Sequence, residues 1–223
     1  MNNLLNSNTL KDCRLDVLSS LQKLVDVLHC KTEDCIFKIR IDNNNTDEDV
    51  NNFLKCVQNK IGNQGQQSFL SYFVDEFICN VQQHANVQIA YGFAYFEQKS
   101  NHLFLGIADG GITIYGSYVA SQKYLEKIGN NEEQSLYLAQ KGYSTKNLPG
   151  AENRGYGVSS NAKIVVDGLS GAFAMVSGNA LSFLDINENV FYKLPYDIEW
   201  PGTFILAEIP ITNQTVDLYK YIS

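Results

Sequence analysis

The stretch SYFVDEFICNVQQHA (residues 71–85) constrains the fold more than any other part of the chain. At helical spacing, Phe69, Leu70, Phe73, Val74, Phe77, Ile78 and Val81 form one continuous apolar stripe, and such a stripe must be buried against another layer. The stripe is interrupted. Asn80 falls within it, and Glu76 and His84, four residues to either side, border the same line. Burying an unpaired amide or carboxylate costs on the order of a few kcal/mol, so these groups need partners. A lone asparagine is accounted for by a bond to backbone or water, but three polar groups along one helix line ask for more. Glu and Asn one turn apart point the same way, as a shared metal-and-water site requires.

The flanking segments indicate the second layer. Leu10, Leu15, Leu18, Leu21, Val25 and Leu28 recur at helical spacing after the capping candidates Asn8 and Thr9. CIFKIRI (35–41) alternates as a strand does, and Val50, Phe53, Leu54 and Val57 predict a short helix after it. The polar, glycine-bearing GNQGQQ (62–67) is the expected boundary between an N-terminal helix-and-strand extension, 1–65, and a main domain, 66–223. VQIAYGFAYFE (87–97) and HLFLGIADGG (102–111) predict two strands that pair through the polar turn 98–101. Residues 112–154 form a long excursion with a helical piece near EEQSLYLAQKG, and connections of this length serve as lids or binding loops. RGYGVSSNAKIVVD opens with glycines and continues as a helix, and GAFAMVSG, ALSFLDI, NVFYKLP and TFILAEIP read as four strands. Strands and helices do not alternate strictly. The expected fold class is therefore α+β, a two-layer sandwich with a mixed, mainly antiparallel sheet and helices on one face.

Composition narrows the function classes. The chain has 223 residues, 44% of them hydrophobic and 18% charged, as in a soluble globular protein. A net charge of −7 argues against duplex nucleic acid or an anionic membrane as the main partner. No apolar run approaches the roughly 20 residues that span a bilayer. The start MNNLLNSNTLKDCRLD lacks the basic and apolar regions of a signal peptide. Five cysteines, an odd number with no C-x-x-C pair, point to a reducing cytoplasm and free thiols. Three histidines without ligand spacing give no zinc site.

Two further motifs bear on chemistry. In LGIADGGITI (105–114) an apolar strand ends in Asp109 and two glycines, where backbone can approach a ligand. NRGYGVSSNAKIV (153–165) is a glycine-bracketed turn into a helix whose free N–H groups favour an anion. Alone, the first is a turn signal and the second a packing feature. In order, Glu-x-x-x-Asn with His-Ala, then Asp-Gly-Gly, then Arg-Gly-x-Gly, then a late GTFILAEIP, they resemble the Bergerat-fold (GHKL-type) ATPase family over residues 66–211. That family includes DNA gyrase, heat-shock chaperones, mismatch-repair ATPases, sensor histidine kinases and anti-sigma-factor serine kinases.

The resemblance implies a Bergerat ATP-binding fold with ATP and Mg²⁺ as ligands and the excursion 112–154 as the ATP lid. It implies that Asn80 holds the magnesium bridging the phosphates and that Glu76 orients or deprotonates the attacking water or hydroxyl. Asp109 would accept the adenine amino proton, and Thr203 would help hold adenine through water. Gly111, Gly155 and Gly157 would frame the lid, with Ser144, Thr145 and Lys146 as a lid segment whose lysine reaches the phosphates and Arg154 as a second phosphate group. The chain departs from the family twice: Thr113 stands where the first glycine box ends in glycine, and Glu76 stands where histidine kinases carry asparagine. His29 is not followed by a helical hairpin, so a dimerised sensor kinase is not expected. The dozen or so residues after EIP leave no room for the second domain of the large machines. Expected is an ATP-hydrolysing or nucleotide-gated protein working with a separately encoded partner. The alternatives are an anti-sigma-type serine kinase and a non-catalytic nucleotide-binding module, and a homodimer stays open.

Overall fold

Seven apolar segments become the strands of one sheet in a computed structural model, which describes residues 36–42, 44–62, 66–145, 156–195, 198–213 and 215–221. They are β1 (Ile36–Arg40), β2 (Ile89–Glu97), β3 (His102–Asp109), β4 (Ala172–Gly178), β5 (Ala180–Leu184), β6 (Asn189–Lys193) and β7 (Trp200–Pro210). Their order across the sheet is β1-β2-β3-β7-β4-β5-β6, and all six neighbouring pairs are antiparallel. The sheet is thus antiparallel throughout rather than mixed. Short turns join β2 to β3 and β4 to β5 to β6, and tight turns make antiparallel pairs. β7, the last strand, inserts centrally between β3 and β4.

The two faces of the sheet differ in what covers them, because alternate residues of a strand point to opposite sides. Leu103, Leu105, Ile107, Phe173, Met175, Ile205, Ala207 and Ile209 belong to the main core with the helices. Phe93, Phe104, Phe204 and Leu206 form a second buried cluster on the far face, built among the described residues from strand side chains alone. Gly106 permits it: a Cβ there would stand 2.1 Å from the Phe93 ring.

The helical layer comprises α1 (Thr46–Ile61), α2 (Gln67–Asn80), α3 (Ile114–Ser121), α4 (Leu125–Ile128), α5 (Glu132–Gln140) and α6 (Tyr156–Lys163). α2 buries the stripe expected of it, with Phe69, Leu70, Phe73, Val74, Phe77 and Ile78 all inside. The Phe73 ring packs edge-on against Phe69 at 5.8 Å and Phe77 at 4.8 Å. The arrangement is α+β in two layers. Among the described residues, no helix is long and apolar enough to cross a membrane.

Residues 36–61 are not separate from the chain beyond the 62–67 loop. β1 pairs with β2 along five residues, and Val50, Phe53, Leu54, Val57 and Ile61 of α1 enter the main core. The helix expected over 10–28 lies outside the described residues. The described part of the excursion, 112–145, carries α3, α4 and α5 rather than a bare loop. Tyr118, Ile128 and Leu138 close a small core of their own, and Leu136 reaches the main one. Left-handed residues at Gln122, Tyr124 and Gly129 break this stretch into short helices.

Candidate functional site

α2 ends where its polar line begins. After Asn80 the helix widens into a π-helical turn, Val81–Ala85, which Asn86 closes in the left-handed region at φ 53°. A wider turn brings residues four and five apart into line, and single π turns often mark functional sites. Asn80, Val81, His84 and Ala85 accordingly all line one cleft, whose empty space, open solvent at its mouth included, is about 860 Å³. Asp109 and Thr203, Ser144 and Thr145, and Gly157 line the same cleft.

Asp109, at the end of β3, is 7% exposed. Its Oδ1 accepts the backbone N–H of Gly111 at 2.9 Å. Burial pushes its pKa up to about 6, and hydrogen bonds from the N–H groups of Gly111 and Thr203 act against that rise. The carboxylate is therefore mainly ionised at neutral pH. Gly202 makes room for it, and Gly111 makes room for the end of the π turn. A Cβ at Gly111 would meet the Ala85 carbonyl oxygen at 2.0 Å, and one at Gly202, where φ is +105°, would meet Asp109 Oδ1 at 2.6 Å. Trp200 Nε1 donates to the Asp109 carbonyl at 3.0 Å, pinning the strand end from the other side.

Glu76 lies beside the cleft wall, one turn before Asn80. A Cβ on Gly157 would come within 2.8 Å of Glu76 Oε2 and 3.2 Å of Asn80 Nδ2, so the first turn of α6 abuts both side chains. Buried Asn161 donates from Nδ2 to the Gly157 carbonyl at 2.8 Å and holds that turn in shape. The Tyr72 phenol on α2 has its pKa raised by burial and by the Glu76 charge. Asp75 points elsewhere: it is exposed, and its pKa is raised by partial burial and by Asp47 of α1.

The start of the excursion is anchored. Thr113 caps α3 by accepting the Gly116 N–H at 2.9 Å. Ser117 Oγ lies 3.0 Å from Thr145 Oγ1, which lies 3.5 Å from His84 Nδ1. Tyr118 Oη donates to the Tyr143 carbonyl at 2.7 Å. These contacts join α3, the segment 143–145 and the end of α2 around the rim.

Of the residues singled out from sequence, Asn80, Asp109, Ser144, Thr145, Gly157 and Thr203 share the cleft, and Glu76 and Gly111 pack immediately behind its wall and floor. Lys146, Arg154 and Gly155 lie outside the described residues. Not anticipated were Tyr118 and Tyr143 on the rim, Gly202 under Asp109, and Ser177 beneath Thr203. Only Gly202, directly preceding Thr203, carried a local signal.

A metal here needs ligand oxygens as well as protein. No group of three His, Cys, Asp or Glu side chains that could hold an ion occurs among the described residues. Mg²⁺ is usually held by one or two protein groups and completed by phosphates and water, and the Asn80 amide oxygen suits that lesser part. No protein-family model, no curated protein and no solved structure matches the chain, so the case for its function rests on the chemistry of this cleft.

Proposed function

We propose that the chain is a Mg-ATP-binding protein of the Bergerat type that hydrolyses ATP, or uses it to gate the binding of a separate protein in the cytoplasm. The carrying observation is the meeting of Glu76, Asn80 and Gly157 beside a cleft whose floor holds Asp109 and Thr203. Segments far apart in sequence supply these groups, and they divide into one end suited to a base and another suited to phosphates.

In this proposal Asp109 accepts an N–H of the adenine amino group, and the apolar wall of Val81, Ile107 and Ile205 takes the ring. Asn80 contributes its amide oxygen to magnesium, which when bound supplies charge neutralisation for the phosphates. Glu76 accepts the proton of the attacking water or hydroxyl. Tyr72 and Gly157 beside it limit the directions its carboxylate can take.

The test is a titration with Mg-ATP by calorimetry, followed by phosphate release on the same sample. Saturable, magnesium-dependent binding is expected, with guanine nucleotides binding poorly because they carry no amino group at the position facing Asp109. Absence of any heat or thermal shift at saturating Mg-ATP overturns the proposal. Label transferred from the γ-phosphate to a partner's serine, rather than released, moves the assignment to a protein serine kinase.

A further inference from the structure

Ser177, at the end of β4, is 2% exposed and sits where three elements meet. A serine hydroxyl has one hydrogen to give and two lone pairs. Ser177 Oγ is 2.8 Å from the Gly202 carbonyl oxygen of β7, which can only accept. It is 2.9 Å from the backbone N–H of Ile114, the first residue of α3, which can only donate. Its third neighbour is Thr203 Oγ1 at 3.3 Å. The single serine hydrogen is committed to Gly202, so Thr203 must be the donor in the remaining contact.

That assignment settles what Thr203 offers the cleft. With its hydrogen turned to Ser177, the Thr203 hydroxyl presents lone pairs alone. Asp109 beside it is a carboxylate that already accepts the Gly111 N–H and has further lone pairs to spare. Two neighbouring acceptors suit a ligand edge rich in N–H and oppose one that presents a carbonyl oxygen.

We infer that Ser177 is a positioning residue that fixes the direction of the Thr203 hydroxyl, so that the cleft floor selects an exocyclic amino group over a carbonyl. This rests on the nucleotide-binding proposal and deepens it: an adenine nucleotide is taken, and its inosine counterpart, with a carbonyl oxygen in place of the amino group, is refused. The same serine satisfies a first-turn N–H of α3, one of the donors a helix leaves without an internal partner. The floor that reads the base and the first helix of the lid thus share one hydroxyl.

The experiment compares Mg-ATP and Mg-inosine triphosphate binding by calorimetry for the wild-type chain, Ser177→Ala and Thr203→Val. Ser177→Ala frees the threonine hydroxyl to turn and donate. The preference for ATP is expected to fall by roughly tenfold, the worth of one hydrogen bond made or lost, with inosine triphosphate binding gaining in absolute terms. Thr203→Val removes the oriented oxygen while leaving the Ser177 bonds to Gly202 and Ile114, and it too should reduce the preference, which keeps the test open if Ser177→Ala does not fold. Equal weakening of both nucleotides, with the ratio unchanged in the variants that fold, overturns the inference while nucleotide binding stands. Failure of the wild type to bind either nucleotide overturns both.

Discussion

At the scale of single residues, Asp109 is the group most at odds with its surroundings. Its carboxyl pKa is raised from an ordinary 3.8 to about 6, chiefly by burial. A raised acid pKa contributes stability that is fully present below 3.8 and lost as pH rises through about 6. Ligand-free protein at neutral pH therefore carries the cost of an ionised buried carboxylate. Asp109→Asn should melt higher than wild type at about pH 7.5 and lose that advantage at about pH 4, a difference readable by thermal melts at the two pH values. The same substitution should weaken ATP binding by about 1–3 kcal/mol, because a charged acceptor becomes a neutral amide. ATP binding to wild type should also weaken as pH falls below about 6. The glycines beneath the floor are as exacting. Gly202→Ala places a methyl 2.5 Å from the Asp109 carbonyl at φ +105° and should cost about 1–3 kcal/mol or more of stability in denaturant titration. Gly129→Ala, at φ +53° with nothing within 4 Å, should cost only about 1–2 kcal/mol of backbone strain.

At the scale of elements, α2 serves two ends at once. Its first turns drive three phenylalanines into the core, and its last turn and the π turn after it face the cleft. Helical rotation separates Asp75 from Glu76 by about 100°, leaving Asp75 exposed towards α1 and Glu76 against Gly157. If the chain turns over ATP, Glu76→Ala should keep nucleotide binding and lose about 10²–10⁴-fold in rate. Asp75→Ala should change little, and Asn80→Ala should lose magnesium-dependent binding together with turnover. Phosphate-release rates and titrations on the three variants check this, and an unchanged rate in Glu76→Ala reduces the residue to a structural partner. The proposed lid belongs to the same scale. Segment 112–145 has its own small core; α5 ties it to the sheet through Leu136 in the main core and through Glu132 and Gln140, whereas α3 and residues 143–145 are held at the cleft rim by single hydrogen bonds of Ile114, Ser117 and Thr145. A non-hydrolysable ATP analogue should slow hydrogen exchange there, with the effect concentrated at α3 and residues 143–145.

At the scale of the whole molecule, the sheet binds the first described strand to the rest. β1 occupies one edge, and α1 lays Phe53 across Gly92, where a Cβ would stand 2.9 Å from the ring, and against Phe37 at 5.3 Å. Phe53 is fully buried. Deleting residues 1–61 would strip β2 of its partner on one side, β1, and uncover one side of α2. The truncated chain is expected to lose cooperative unfolding, seen by near-ultraviolet dichroism and thermal melts. A truncated 62–223 that melts as sharply as the full chain would show that 36–61 is a dispensable addition.

Much of this was readable from the chain alone, for local reasons. A helical period marked α2, alternation marked the strands, and Asp109 with two glycines after it marked the end of a strand, since each of these signals is complete within a dozen or so neighbouring residues. The polar interruption of the α2 stripe likewise announced that Glu76 and Asn80 needed partners. The identity of those partners was decided only in three dimensions. Gly157 reaches Glu76 because α6 crosses α2, Gly202 makes room for Asp109 because β7 lies beside β3, and the π turn that swings His84 and Ala85 into the cleft departs from the ordinary helical period. Ser177 gave no signal at all. A serine in an apolar strand is ordinary until the antiparallel register of β4 with β7 and the start of α3 set a carbonyl, an N–H and a hydroxyl around its one hydrogen, and hydrogen-bond direction is a property of that assembled neighbourhood rather than of any segment.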